Sequence, residues 1–103
     1  MSEITLVEAV RLALAHAMEE DSQVIILGED VGADGGVFRA TEGLLERFGK
    51  SRVRDTPLSE SVIAGVCVGL AAQGFRPVGE IQFMGFIYPA IVQIVSHASR
   101  LRN

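Results

Sequence analysis

Val24-Ile25-Ile26-Leu27-Gly28 is a short, unbroken apolar run, mostly β-branched, shut off by a glycine. That is the form of a parallel strand covered on both faces, and it sets how the flanking sequence reads. Upstream, Leu6, Val7, Val10, Leu14, Ala17 and Met18 recur at three- and four-residue spacing. The spacing predicts a helix over residues 5–20, with Thr5 and Glu8 as the capping box that starts it and Glu20-Asp21-Ser22 as its break. Downstream, Gly28-Glu29-Asp30-Val31-Gly32-Ala33-Asp34-Gly35-Gly36 is a loop rich in glycine and acid. Its glycine spacing fits no phosphate-binding pattern and its acids would repel a phosphate, so a surface loop that turns tightly on its glycines is expected. After Val37-Phe38-Arg39, a short helix over residues 41–48 is closed by Gly49.

The same alternation continues. Residues 52–55 form a second strand candidate that ends at Thr56-Pro57, and residues 59–73 form a helix ended by Gly74. Within that helix Ala64, Gly65, Gly69 and Ala72 place small side chains three or four residues apart, which implies that another backbone packs closely on that face, at a propensity cost of about 1 kcal/mol per glycine. Residues 77–83 read as a third strand. Residues 86–101 read as a last helix, with Ile87, Ile91, Ile94, Val95, Ala98 and Leu101 on one side and Pro89 in its first turn. The order α-β-α-β-α-β-α, without hairpin signals, implies an α/β fold: a three-layer parallel sheet with helices on both faces. Three short strands are few for so many apolar helices, and the sequence stops at Asn103 directly after an amphipathic helix. The expectation is therefore an incomplete domain, with residues 1–103 as its N-terminal part.

Composition narrows the function classes. The hydrophobic fraction is 49% and the mean hydropathy +0.34, on the apolar side for a free-standing domain, so part of the surface is expected to meet a partner. A net charge of −4 offers no basic footprint, which argues against nucleic acid and against an anionic membrane surface. No apolar run approaches the ~20 residues of a bilayer span, and Met1-Ser2-Glu3-Ile4-Thr5 has neither the basic start nor the apolar stretch of a signal peptide, so a cytoplasmic chain is expected. Cys67 is the sole cysteine and lies among Val66, Val68 and Leu70, which excludes a disulfide framework and predicts a buried, inert thiol.

The stretch that bears most on chemistry is Asp55-Thr56-Pro57-Leu58-Ser59-Glu60-Ser61, where a strand gives way at a proline to a carboxylate at the mouth of an apolar helix. In an open parallel sheet, ligands sit beyond the carboxyl ends of the strands. The loops after Leu27, Asp55 and Phe83 share that edge, which brings Glu29, Leu58, Glu60, Gln82 and Phe86 into one neighbourhood. A carboxylate, an amide and an aromatic face suit a flat, hydrogen-bonding heterocycle. Read from spacing alone, Glu60 is equally an ordinary helix-start acid held by the macrodipole. His16 and His97 fall on exposed helix faces rather than at a site.

Five stretches then carry a resemblance. Gly28-Glu29-Asp30-Val31-Gly32, Gly35-Gly36-Val37-Phe38-Arg39-Ala40-Thr41-Glu42-Gly43-Leu44, Asp55-Thr56-Pro57-Leu58-Ser59-Glu60-Ser61, Gly74-Phe75-Arg76-Pro77-Val78 and Glu80-Ile81-Gln82-Phe83 are similar, in order, to the β subunit of the thiamine-diphosphate-dependent 2-oxo acid dehydrogenases. The matching portion opens that subunit's transketolase-like pyrimidine-binding domain. The resemblance implies that Glu60 is catalytic. It would share a proton with a pyrimidine ring nitrogen of the cofactor, so that the exocyclic nitrogen can remove the thiazolium proton and expose the carbon that attacks the 2-oxo group. An apolar wall of Val62 and Ile63 would keep such a carboxyl partly protonated. Phe86 matches the position that stacks on the pyrimidine, and Leu58 and Gln82 match positions that line the same ring.

What is missing is equally informative. The family holds diphosphate and magnesium with a Gly-Asp-Gly motif and an asparagine pair on its α subunit, whereas here Ala33-Asp34-Gly35 is a partial echo and the only Asn is Asn103. The resemblance thus implies thiamine diphosphate as cofactor, magnesium held by a partner α subunit, an α₂β₂ heterotetramer, and acyl transfer to the lipoyl-bearing acyltransferase of a larger complex. Met84-Gly85-Phe86 is closer to pyruvate-type than to branched-chain-type members, and Ile91-Val92-Gln93 lacks an acid common before that glutamine. The reaction implied is oxidative decarboxylation of a 2-oxo acid, pyruvate first and a branched-chain 2-oxo acid as the alternative. A non-catalytic interaction module is the reading from a different class, and this stretch alone is expected to have no turnover.

Overall fold

The computed structural model describes residues 3–32, 35–36, 38–57 and 59–101, the side chain of Met84 excepted. Four α-helices and three strands alternate: α1 (Leu6–Glu20), β1 (Val24–Gly28), α2 (Leu44–Phe48), β2 (Val53–Asp55), α3 (Glu60–Ala72), β3 (Arg76–Glu80) and α4 (Tyr88–Ser96), with 3₁₀ turns at Met84–Phe86 and Ala98–Arg100. The strands form one parallel sheet in the order β2-β1-β3, with Ile26 opposite both Val53 and Val78. Helices cover both faces, as the alternation predicts. Val24 and Ile26 join Ala15, Met18, Val31, Leu44 and Val53 in the core under α1 and α2. Leu27 is in register with Gly79, and a Cβ on Gly79 would stand 3.0 Å from both Ile63 and Cys67, so α3 seats on the opposite face. No helix among the described residues is long and apolar enough to cross a membrane.

Local chemistry accounts for the element starts. The Thr5 hydroxyl accepts from the Glu8 amide at 3.1 Å and opens α1, and the Ser59 hydroxyl accepts from the Val62 amide at 3.3 Å and opens α3. Arg52 closes the first half of the molecule. Its guanidinium donates to the carbonyls of Met18 and Asp21 at 2.7 Å and reaches that of Val24, while its plane lies 5.1 Å over the Phe48 ring.

Several elements differ from the sequence expectation, each for a physical reason. The helix expected from residue 41 begins at Leu44, because Gly43 adopts φ 82° and the Thr41 side chain is drawn inward to the Val31 carbonyl at 2.7 Å. The third strand stops at Glu80, three residues short of Phe83. Its register places Glu80 opposite Gly28, the last residue of β1, so no backbone partner lies beyond. The last helix is split rather than continuous over residues 86–101: Pro89 sits in the first turn of α4, and after Ser96 the Ser99 hydroxyl bonds back to the Val95 carbonyl where the chain tightens into a 3₁₀ turn.

The glycine-rich loop is not a surface loop. Val31, Gly32, Gly35 and Gly36 are buried, and a Cβ on Gly35 would come within 2.8 Å of the Glu42 Cα. Nor is Cys67 fully buried; it is partly exposed, on the face of α3 that borders the space between α3, β3 and α4. The small-residue face of α3 is matched only in part, with Gly65 close to Gln93 of α4 and Gly69 facing open space. His16 and His97 are exposed, as expected.

Candidate functional site

All three strands deliver their carboxyl ends to one edge, and the parallel register makes it common ground for Glu29 after β1, Thr56 and Pro57 after β2, and Ile81 and Gln82 after β3. The starts of α3 and α4 lie close together. The Ser61 hydroxyl donates to the Pro89 carbonyl at 3.2 Å, and one turn further on a Cβ at Gly65 would stand 3.4 Å from Gln93 Oε1. Both pairs are 28 residues apart, so the two helices run parallel and in register. Their N-terminal ends, which carry partial positive charge from unpaired amides, open side by side.

Glu60 is the first residue of α3 and is half-buried. No hydrogen bond or ion pair among the described residues engages its carboxylate. Of the two residues expected to wall Glu60, Ile63 is buried against Gly79 of β3 and Val62 is 44% exposed. Gln82 is also half-buried, and its side-chain amide donates to the Glu29 carbonyl at 3.1 Å, tying the exit of β3 to the exit of β1. Glu29 Oε2 is buried and has no hydrogen-bond partner among the described residues.

Phe86 presents an open ring, 54% exposed. It meets Phe83 edge-on at 5.7 Å, and Phe83 in turn meets Phe38 edge-on at 5.5 Å, so three rings form a row along the edge. Leu58 and the Ala33-Asp34 pair of the partial Gly-Asp-Gly echo lie outside the described residues. The structure thus joins Gln82 to Glu29, and Phe86 to Phe83 and Phe38. It shows no hydrogen bond or ring contact between Glu60 and either group.

Sequence reading missed Phe38 and Phe83 as members of the row, and Glu80 altogether. The Glu80 carboxyl lines a cavity of about 350 Å³ with Phe38, Thr41, Val78 and Gln82, and burial pushes its pKa up. The one signal for Phe38 was an aromatic two residues beyond the paired glycines of the loop. A second cavity of about 460 Å³ separates α3, β3 and α4; its lining is almost wholly apolar and includes Cys67, whose thiol pKa is raised by burial. That space lies behind the edge and offers nothing to a polar ligand.

Among the described residues, the Glu60 carboxylate and Glu29 Oε2 have no hydrogen-bond partner, and the Phe86 ring is open. Among the described residues, no three His, Cys, Asp or Glu side chains converge as metal ligands.

Comparison with known proteins bears on this edge directly. The model of the family described as transketolase, pyrimidine binding domain, matches residues 2–103. The chain is 55% identical over 102 residues to 2-oxoisovalerate dehydrogenase subunit beta of Bacillus subtilis, covering 99% of this chain and 31% of that protein. It is 50% identical over 103 residues to pyruvate dehydrogenase E1 component subunit beta of Acholeplasma laidlawii, covering 100% and 32%. It is 56% identical over 100 residues to 3-methyl-2-oxobutanoate dehydrogenase subunit beta of Mycobacterium tuberculosis, covering 97% and 29%. The chain spans about a third of the length of these curated relatives.

Proposed function

This chain belongs to the transketolase pyrimidine-binding domain family, and we propose that it forms the pyrimidine side of a thiamine diphosphate site in the β subunit of a 2-oxo acid dehydrogenase. The observation that carries the reading is Glu60: a half-buried carboxylate at the mouth of α3, on the carboxyl edge of a parallel sheet, with no hydrogen bond or ion pair among the described residues. A carboxyl so placed can hold a proton against a pyrimidine ring nitrogen. The N-terminal end of α3, with its unpaired amides, opens beside it.

Phe86 offers a ring face for stacking, and Leu58 is assigned to the same lining. Gln82, clamped to the Glu29 carbonyl, holds the chain beyond β3 against the exit of β1. When bound, the cofactor supplies the nucleophilic carbon that attacks the 2-oxo group and accepts the electrons left by decarboxylation.

The remaining parts of the proposal rest on the family resemblance of the sequence: the diphosphate and its magnesium would go to a partner α subunit in an α₂β₂ assembly, and the acyl group to a lipoyl arm on the acyltransferase, in the cytoplasm. The exposed apolar side chains of α3 and α4, Val62, Val66, Val92 and Val95 among them, supply surface for such an assembly. Pyruvate is the first substrate assignment. A branched-chain 2-oxo acid is the second, favoured by identities of 55% and 56% to the oxoisovalerate and methyl-oxobutanoate enzymes against 50% to the pyruvate enzyme.

The test is Glu60→Gln in the full-length subunit assembled with its partner. Decarboxylation should fall by about 10²- to 10⁴-fold, the range for a lost acid-base group, while cofactor affinity changes modestly. Normal turnover in that variant would remove Glu60 from the chemistry and the reading with it.

A further inference from the structure

We infer that Ser61 is a positioning residue that sets the distance between the Glu60 carboxyl and the Phe86 ring, through its hydrogen bond to the Pro89 carbonyl. The inference rests on the assignment of Glu60 and Phe86 to one cofactor ring. It starts from a separation: those two groups lie on different segments, and no hydrogen bond or ring contact joins them. Each must therefore be placed by its own supports.

The supports of Phe86 are visible. Its amide donates to the Phe83 carbonyl at 3.0 Å within the 3₁₀ turn, its ring rests on Phe83, and Phe83 rests on Phe38. Gln82 anchors the same segment to Glu29. All of these refer Phe86 to β1 and the glycine-rich loop; none refers it to α3. The Ser61 hydroxyl does. Ser61 follows Glu60 in the first turn of α3, and Pro89 lies three residues beyond Phe86 in the first turn of α4.

Among the described residues this is the only hydrogen bond from α3 to the segment beyond β3. Below it the helices pack along their length, with Gly65 against Gln93, and the hydroxyl bond adds a directional restraint at the mouth of the site. A shift of α3 against α4 would move the carboxyl along the edge of a bound ring while the phenyl stayed in place, and a hydrogen bond tolerates little such error.

The experiment uses the full-length subunit assembled with its partner and measures thiamine diphosphate binding, with magnesium, by calorimetry, alongside turnover and thermal unfolding of the cofactor-free assembly. Ser61→Ala should weaken cofactor binding about five-fold, the scale of one hydrogen bond. At saturating cofactor its kcat should also fall, though by less than in Glu60→Gln, while its unfolding midpoint stays within about 3 °C. Ser61→Thr keeps the hydroxyl and should bind within about two-fold of the parent. If Ser61→Ala fails to assemble, Ser61→Cys, close in volume but a weak donor, takes its place in the same comparison.

Unchanged affinity in Ser61→Ala, beside a Glu60→Gln variant that has lost turnover, would overturn the role of Ser61 and leave Glu60 standing. Equal weakening in Ser61→Ala and Ser61→Thr would also overturn it, since the hydroxyl would then not be the cause. A lowered midpoint with unchanged affinity would assign Ser61 to packing alone and overturn it as well. Normal turnover in Glu60→Gln would instead bring down the assignment on which the inference rests.

Discussion

The half of the molecule built from α1, β1, α2 and β2 and the half built from α3, β3 and α4 share one sheet, yet only the first encloses a cluster of large apolar side chains, although it too leaves Leu6, Val10, Leu12 and Phe38 open. In the first half, Met18, Ile26, Val31 and Leu44 are sealed, with Ile26 at 0% exposure, and Arg52 ties three carbonyls and an aromatic ring together at the seam. In the second half, Val66, Val78, Val92, Ile94 and Val95 stand open, Val92 at 55%, and among the described residues a single hydrogen bond joins the packed helices α3 and α4. The first half closes its own core. The second spends its hydrophobic side chains on a surface that something else must cover, and it is the half that carries Glu60 and Phe86.

The largest effect that could break this contrast is a cavity. Ile26→Ala in the full-length protein should cost about 3 to 4 kcal/mol, because Ile26 is enclosed by both layers and the parallel sheet cannot collapse into the space. Val92→Ala should cost under about 0.5 kcal/mol in any state in which the α4 face is uncovered. Chemical denaturation of both variants checks the pair. Equal losses would mean that the second half is as closed in solution as the first.

Arg52→Ala comes next, at about 2 to 3 kcal/mol. A charged donor shared among the carbonyls of Met18, Asp21 and Val24 is lost, and acceptors at the end of α1 are left unpaired. Arg52→Lys should recover part of this, since an ammonium can still reach a carbonyl but cannot fork between several or lie flat on Phe48. A loss of less than about 1 kcal/mol for the alanine variant would show that the seam is held by apolar packing alone.

In both halves, elements set by contacts within a run or a turn were legible in the sequence and features set by distant partners were not, and the reason is locality. β1 announces itself because a run of β-branched residues needs no knowledge of its neighbours, and Thr5 with Glu8 starts α1 by contacts within one turn. The end of β3 is a different kind of fact: it is set by where β1 stops, through the pairing of Glu80 with Gly28, and no pattern within residues 77–83 contains that information. The burial of the glycine-rich loop depends on Gly35 meeting Glu42 across a turn, and the exposure of Cys67 on what does or does not lie over α3.

At the candidate site the placement of Glu60 at a helix mouth was readable from Pro57 and Ser59. The row of Phe38, Phe83 and Phe86 was not, because it assembles residues from two distant loops. Glu80 escaped for a related reason. Alternation along a strand gives its side, but the cavity it faces is made by α1 and the loop around Thr41.

The smallest effect sharpens the boundary between the halves. Glu80 belongs to β3, but its carboxyl lies against Gly36 of the first half's loop, and a Cβ at that glycine would come within 3.3 Å of Glu80 Oε2. It has no hydrogen-bond partner among the described residues, and burial raises its pKa above the ordinary 4.5. A carboxyl with a raised folded-state pKa favours the fold when protonated. That contribution is fully present below about pH 4.5 and is lost as the pH rises through the folded-state value. Glu80→Gln, neutral at every pH, should therefore unfold at a slightly higher temperature than the parent at pH 7, and the gap should close as the pH falls toward 4.5. Melting curves of the two proteins across that range measure it. A gap that does not change with pH would mean that the carboxyl is fully solvated, and that the first half ends at Gly36 without leaning on β3.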